Sequence, residues 1–283
     1  MVNENQKILE RSELGSKSAY DLIYNPDKLF AIPRKAKRDE ININSKVQLP
    51  FFGYDLWNHY EVSWLNSKGK PVIAIAKIIY SCCSPNIIES KSMKLYFNSL
   101  NNTKFTDAET VQKTIRRDLT AKVGSVVDIS IIPIKNFKEG KITKGFTGES
   151  IDELDVECFT YMVEPSFLQT TEEIVVNKIL CSDLLKSNCL VTNQPDWGSV
   201  QITYTGNKIN KEGLLKYLVS FRNYNEFHEQ CIERIFIDIM QRCLPLQLTV
   251  YGRYTRRGGI DINPMRSTEK TLKYDQNLRL CRQ

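Results

Sequence analysis

The sequence is poor in histidine and in the spacings that build metal sites. Its 283 residues hold two histidines, His59 and His228, and eight cysteines, none of them in a C-x-x-C pair. The one close pair, Cys82 and Cys83, is adjacent. Structural zinc needs Cys or His ligands at characteristic spacings, so no metal is expected. Long apolar runs are missing too. The longest, PVIAIAKIIY, is ten residues including Lys77, about half of what a membrane-spanning helix requires. The opening MVNENQKILERSELGSKS is polar and lacks the apolar core of a secretory leader. These absences predict a soluble, cytoplasmic protein with reduced thiols, most of them packed as small hydrophobes. No G-x-G-x-x-G follows a strand, so a dinucleotide would be held outside a Rossmann crevice.

What is present fits a folded protein with a core: 41% hydrophobic and 25% charged residues. The formal charge of +6 suits a phosphate-bearing ligand and weak RNA contact alike. The densest basic cluster, PRKAKR at 33–38, has no assigned role.

Along the chain, residues 1–45 read as a polar arm without a core of its own. HYEVSWL and PVIAIAKIIY flank NSKGK, a β-hairpin pattern around Gly69. TDAETVQKTIRRDL places Thr106 and Glu109 at capping-box spacing, followed by Val111, Ile115 and Leu119 on one helical stripe. VGSVVDISIIPI, ECFTYMV, VQITYTG and LQLTVYGRYTRR read as strands. NEFHEQCIERIFIDIMQRC carries Phe227, Cys231, Ile235 and Ile239 at four-residue steps and reads as a helix. EEIVVNKILCSDLL, spanning 172–185, is open between helix and strand.

The halves resemble each other. Tyr96, Ser99 and Asn102 match Tyr217, Ser220 and Asn223 at constant offset, and one residue of slippage pairs Phe105 with Phe227 and Ile115 with Ile237. The pattern implies an arm over 1–45 and two α+β modules, 46–145 and 146–283, each an antiparallel sheet covered on one face by helices. The halves also differ usefully. ESKSMKLY has no counterpart in the second, and FHE replaces FTD. A composite site would leave such complementary losses.

Cys189 lies among Ser187, Asn188, Thr192 and Asn193, a polar setting suited to an accessible thiol. Cys231 and Cys243, on an apolar stripe, read as packing. Asp196 sits in Gln-Pro-Asp-Trp-Gly, ordinary turn chemistry, yet Trp197 could desolvate the carboxylate and make it a usable acid. Glu229 falls in the first turn of its helix, where exposed N–H groups favour a carboxylate. His228 falls on the apolar stripe, as a satisfied core histidine or one lining a pocket. ESKSMKLY has strand-like alternation and reads alone as a solvated edge strand. YGRYTRRGG offers Arg253, Arg256 and Arg257 beside two glycines, suited to gripping phosphate or to a basic surface loop.

Four segments taken in order, ESKSMKLY, LLKSNCLVTNQPDWGS, YLVSFRNYNEFHEQCIERI and YGRYTRRGGIDINP, resemble the NADPH-dependent 7-cyano-7-deazaguanine reductases of the QueF family, long two-module type. The resemblance implies two tandem tunnelling-fold (T-fold) modules and a homodimer. It also implies reduction of the nitrile of 7-cyano-7-deazaguanine to the primary amine with two NADPH, in queuosine (tRNA modification) biosynthesis. Cys189 would be the nucleophile forming a covalent thioimide and Asp196 the proton donor. Ile88, Glu89, Ser90, His228 and Glu229 would bind the 7-deazapurine; Ser90, Lys91, Arg257 and Gly258 would bind NADPH. No metal, membrane or direct nucleic-acid contact is implied. Two other readings stay open on the residues. A related T-fold enzyme acting on a purine or pterin leans on zinc or extra histidines that this chain lacks. A basic RNA-binding module requires tRNA binding that weakens steeply with salt.

Overall fold

The computed structural model describes residues 23–43, 48–137, 142–190, 192–271 and 276–283. Residues 1–22 and 44–45 of the expected arm lie outside the described residues. The chain forms two compact units, neither a single stretch: Met1–Glu40, Leu56–Glu139 and Arg256–Asp261 make one, and Ile41–Asp55, Gly140–Thr255 and Ile262–Gln283 the other.

The first unit contains β1 (Ala31–Pro33), α1 (Lys35–Glu40), most of β2 (Phe52–Leu65), β3 (Pro71–Ser81), β4 (Asn86–Ile88), α2 (Ser90–Leu100), α3 (Ala108–Val123) and β5 (Val127–Pro133). Its sheet runs in the order β5–β3–β2. The β2–β3 turn is the expected hairpin: Gly69 takes φ +80, and Asn66 Oδ1 accepts from the backbone of Lys68 and Lys70 at 2.9 and 3.0 Å. Strict alternation buries Ala74, Ala76 and Ile78 of β3 on one face, and α3 covers that sheet with Val111, Ile115 and Leu119 fully buried. The cap of α3 differs from the expected capping box. Asp107, not Thr106, accepts from the Thr110 N–H, at 2.7 Å, and Gly124 at φ +76 ends the helix. A carboxylate one residue nearer the helix wins the N-cap position from the hydroxyl.

One further reading is corrected here. ESKSMKLY is a helix, not an edge strand: Met93, Tyr96, Phe97 and Leu100 form a buried i, i+3, i+4, i+7 stripe, a period that outweighs the local alternation. The basic cluster 33–38 makes defined contacts. β1 pairs antiparallel with β4, Arg34 is buried with Nε and Nη2 donating to Ser84 Oγ at 3.2 and 3.1 Å, and Arg38 Nη2 donates to Cys82 O at 2.7 Å. Arginine heads find carbonyls and hydroxyls here, which makes their burial tolerable.

The second unit contains β6 (Ile142–Thr143), β7 (Glu149–Ser150), β8 (Thr170–Asn188), β9 (Pro195–Ile209), α4 (Lys211–Val219), α5 (His228–Cys243), β10 (Gln247–Tyr254), most of β11 (Ile260–Ser267) and β12 (Arg279–Leu280). Its sheet order is β11–β10–β9–β8–β7. The long strands are antiparallel, and β7 adds a short parallel edge. The open segment 172–185 is therefore strand. α5 packs on β9 and β10: Ile232 fits where Gly252 has no side chain, since a Cβ there would lie 2.7 Å from Ile232 Cδ1. Glu157–Val163 is not the expected strand. No ladder takes its backbone groups among the described residues, and Phe159 and Met162 are 82% and 60% exposed.

Each unit is α+β, a largely antiparallel sheet covered by helices, as the two-module reading requires. The internal resemblance extends to hydrogen bonds. Tyr96 OH donates to Asp118 Oδ2 at 2.8 Å, and Tyr217 OH to Asp238 Oδ2 at 2.7 Å. Ser99 and Ser220 each return a hydroxyl to the tyrosine carbonyl at 2.6 Å. α3 and α5 are both 16 residues long and start at Ala108 and His228. Ile115 thus corresponds to Ile235 rather than Ile237, and His228 stands where the first unit has Ala108.

Candidate active site

Cys189 follows the last residue of β8, and Asp196 is the second residue of β9. The ladder pairs Ser187 with Asp196 and Asn188 with Pro195. The turn closes through Cys189 N donating to Gln194 O at 2.8 Å and Asn193 N donating to Cys189 O at 3.1 Å. Directly opposed residues of an antiparallel pair share a face, and so do residues two apart. Ser187 and Asp196 therefore share a face, and Cys189, two residues beyond Ser187, continues it. That face is the helix-covered one: Leu185 and Ser187 are fully buried and Asp196 is 4% exposed. Diagonal neighbours of this kind sit about 7–8 Å apart along the sheet. Cys189 is half-buried and unpaired by any disulfide. Trp197, expected to desolvate Asp196, faces the other way, 37% exposed with Arg222 over its ring. Successive strand residues alternate faces, so the neighbour in sequence cannot shield the carboxylate; α5 and β10 do.

The outer edge of β8 ties down the segment leading into α5. Asn188 N donates to Tyr224 O at 2.8 Å, Glu226 N donates to Asn188 O at 3.0 Å, and Asn188 Nδ2 donates to Asn225 Oδ1 at 3.1 Å. Lys186 Nζ donates to Asn188 Oδ1 at 2.6 Å and to Arg222 O at 2.5 Å. Burial and the nearby Arg222 hold this ammonium below its ordinary range. Through these bonds the first turn of α5 is fixed against the hairpin.

His228 opens that turn. Its Nε2 lies 3.4 Å from Asp196 Oδ2, and its ring stacks on Tyr254 with centroids 3.9 Å apart and planes 9° apart. His228 Nδ1 is buried without a hydrogen-bond partner among the described residues. Glu229, next along, is 2% exposed. One turn on, Cys231 is fully enclosed, and burial pushes its thiol up to about 12, as suits an inert packing residue.

In the first unit, Ile88 ends β4 and Glu89 caps α2. The Glu89 carboxylate accepts from the N–H groups of Lys91 and Ser92, each at 2.7 Å. Burial outweighs these bonds and the nearby lysines, so its carboxyl is raised above the ordinary 4.5. The segment before β1 brackets this corner: Glu89 N donates to Phe30 O, and Phe30 N to Ser92 Oγ at 3.0 Å. Ser90 and Lys91 form the half-buried first turn of α2. Arg257 and Gly258 lie in a tight turn where Arg257 N donates to Ile260 O at 2.9 Å, with Gly258 at φ +54 and Gly259 at φ +74. A side chain at Gly258 would meet Lys94 Nζ at 3.0 Å. Arg256 lies 3.5 Å over the Tyr60 ring, and its Nε and Nη2 are buried without hydrogen-bond partners among the described residues. Close backbone approach, a lysine and an under-bonded guanidinium fit a phosphate-bearing ligand.

Cys189, Asp196, His228 and Glu229 thus gather at one end of the second unit. Ile88, Glu89, Ser90 and Lys91 gather at the start of α2. Sequence reasoning missed Tyr254 and Lys94. Both lay inside quoted motifs, and the signal was position. Read as a helix, ESKSMKLY puts Lys94 one turn from Ser90 and Lys91. Read as a strand, Gly252 and Tyr254 share a face.

Comparison with known proteins gives matches over both units. Residues 20–131 match the family described as "Nitrile reductase, 7-cyano-7-deazaguanine-reductase N-term", and residues 195–273 match "QueF-like protein". A protein of Legionella pneumophila (strain Lens) named NADPH-dependent 7-cyano-7-deazaguanine reductase is 62% identical over 278 residues, 98% of this chain and 97% of that one. A protein of the same name from Ralstonia nicotianae is 54% identical over 275 residues, covering 97% and 99%. One from Polaromonas naphthalenivorans is 52% identical over 281 residues, again 97% and 99%.

Proposed function

The chain belongs to the NADPH-dependent 7-cyano-7-deazaguanine reductases, and on that footing we propose that it reduces the nitrile of 7-cyano-7-deazaguanine to the aminomethyl group through a covalent bond to Cys189. The observation that carries the covalent step is the shared face of Cys189 and Asp196 at the β8–β9 turn. A thiol there reaches a cyano carbon while a carboxyl on the same face reaches its nitrogen.

NADPH supplies hydride, two equivalents for each nitrile. The rest is done by side chains. Cys189 adds as a thiolate to the nitrile carbon, and a proton delivered by Asp196 to the nitrogen gives a thioimide. Reduction of the C=N bond, with a second proton to nitrogen, leaves a tetrahedral carbon bearing sulfur and an amine. Its C–S bond then breaks, the electron pair returns to Cys189 as thiolate, and a protonated imine remains. The second reduction yields the amine, and Asp196 recovers its proton from solvent. Overall the nitrile takes up two hydrides and two protons. A positioned acid contributes about 10²–10⁴-fold to such a step.

Glu229 and Glu89 are proposed to accept N–H groups of the base, and His228 and the backbone at Ile88 and Ser90 to contact it. Each carboxylate is buried, and a buried donor of the ligand left unpaired costs about 1–3 kcal/mol. Lys91, Ser90, Arg257 and Gly258 are proposed to hold NADPH. Assembly as a homodimer, a cytoplasmic setting and a place in queuosine biosynthesis are proposed from family membership; no helix among the described residues is long and apolar enough to cross a membrane.

Intact mass of the protein soaked with the nitrile base and no NADPH tests the reading. The expected result is one added base in the wild type and none in Cys189→Ala, with two NADPH consumed per base on turnover. An adduct persisting in Cys189→Ala moves the nucleophile elsewhere. No adduct and no NADPH consumption by folded, reduced protein removes the proposal.

A further inference from the structure

We propose that Tyr254 is a positioning residue, whose ring face fixes the His228 imidazole so that Nε2 stays against the Asp196 carboxylate while that group serves the chemistry at Cys189. The proposal rests on the reading of Asp196 as proton donor, and it adds a residue that the reading does not contain.

The first argument concerns what orients His228. An imidazole at a working site is ordinarily fixed by a hydrogen bond at its second nitrogen. Here Nε2 meets Asp196 at 3.4 Å, and Nδ1 has no hydrogen-bond partner among the described residues. The nearly parallel contact with Tyr254, 3.9 Å between centroids and 9° between planes, takes the place of that second bond. Nearly parallel planes with centroids this close are the stacked arrangement in which one ring face covers the other, so the Tyr254 face limits how the imidazole can turn.

The second argument is how tightly Tyr254 itself is held. It is fully buried, on the last residue of β10, opposite Gly198 in the ladder. A Cβ at Gly198 would stand 3.1 Å from both Cδ1 and Cε1 of the ring, and one at Gly252 would stand 3.4 Å from Cε2. The ring therefore lies across two strand positions that carry no side chain. Gly198 is two residues after Asp196 on the same face, so β9 presents the carboxylate and the bed for the ring together. At its far end the Tyr254 hydroxyl is buried without a hydrogen-bond partner among the described residues.

Third, Tyr254 is unsuited to a direct proton-transfer role. Burial, with the neighbouring Cys231, Asp196 and Glu229, drives its hydroxyl far above the ordinary phenol range. Its contribution is its face.

Tyr254→Phe and Tyr254→Leu test this, because phenylalanine keeps the face and leucine removes it. The chain has two histidines, so the imidazole C–H signals of His228 are readily assigned by NMR, with a His59→Phe variant as reference. In the wild type and Tyr254→Phe these signals should lie upfield, as ring stacking requires, and Tyr254→Phe should keep most of the wild-type kcat. In Tyr254→Leu they should move toward free-histidine positions, with kcat falling about 10²-fold, the low end of what a positioned acid contributes. A folded Tyr254→Leu protein with unmoved His228 signals, or with wild-type kcat, overturns the proposal. Should leucine prevent folding, Gly198→Ala decides: the added methyl displaces the intact Tyr254 ring, and unmoved His228 signals in that variant count against the proposal equally. Failure of the wild type to form the Cys189 adduct sinks the chemical reading. An adduct reduced equally fast by wild type and Tyr254→Leu sinks only the role of Tyr254.

Discussion

The hydroxyl of Tyr217 donates to the Asp238 carboxylate at 2.7 Å, between α4 and α5, in a site where both residues are buried. Burial raises Asp238 above the ordinary 3.8, and the Tyr217 bond opposes that rise. Tyr217→Phe should therefore cost about 1–3 kcal/mol at neutral pH, the penalty for a buried acceptor deprived of its donor. Because a raised carboxyl binds more protons folded than unfolded, its ionisation erodes stability as pH climbs from 3.8 through the folded value. The deficit of Tyr217→Phe should widen over that rise. Urea unfolding at a series of pH values measures it, and a deficit that shrinks with rising pH contradicts the assignment.

Asp196→Asn keeps the shape of the side chain beside His228 and removes the transferable proton. Its kcat should fall by about 10²–10⁴-fold, while the protein still binds the base. Steady-state NADPH oxidation together with direct binding of the base to the variant separates the two effects. A kcat within a few-fold of wild type would place the acid elsewhere.

His59 is held neutral by its setting. Its ring packs on Phe97 at 4.2 Å, its Nδ1 accepts from Glu61 N at 3.1 Å, and burial aided by Lys94 lowers it from 6.5 to about 3. Below 6.5 the unfolded chain takes up a proton that the folded chain refuses, so stability is lost as pH falls from 6.5 toward 3. His59→Phe should weaken this acid sensitivity in urea midpoints, and the wild-type His59 signal should not titrate between pH 8 and 5.

At the surface, Glu149 accepts from Lys178 and Lys211, each at 2.6 Å, and these bonds lower it from 4.5 to about 2. Its share of stability is present above 4.5 and lost as pH falls toward 2. Solvent screening keeps that share small, since the side chain is 38% exposed. Glu149→Gln should flatten the acid limb of the stability profile in that interval and leave neutral stability almost unchanged. Thermal melts from pH 5 to 2 read this directly.

Periodicity was legible where one face of an element is buried and the other wet. The hairpin at Gly69, the stripe of α3 and the four-residue steps of α5 follow from that contrast. It failed at ESKSMKLY and ECFTYMV, for opposite reasons. In the first, Glu89 caps a helix whose apolar period is longer than the motif that was read. In the second, alternating side chains met no neighbouring strand, and alternation without a ladder builds nothing. Residues 172–185 stayed open because a strand buried unevenly along its length carries neither period cleanly.

The order of the four motifs was in the sequence, and so were the types of residue needed: a thiol, a carboxyl, a histidine, arginines beside glycines. Chain order suffices for these because they are local. Tertiary structure alone decided that β9 carries Asp196 and Gly198 on one face, that Tyr254 of β10 lies across that glycine, and that α5 delivers His228 between them. Those distances depend on strand register and on the seating of a helix, which are set by the packing of the whole unit and leave no mark within any one segment.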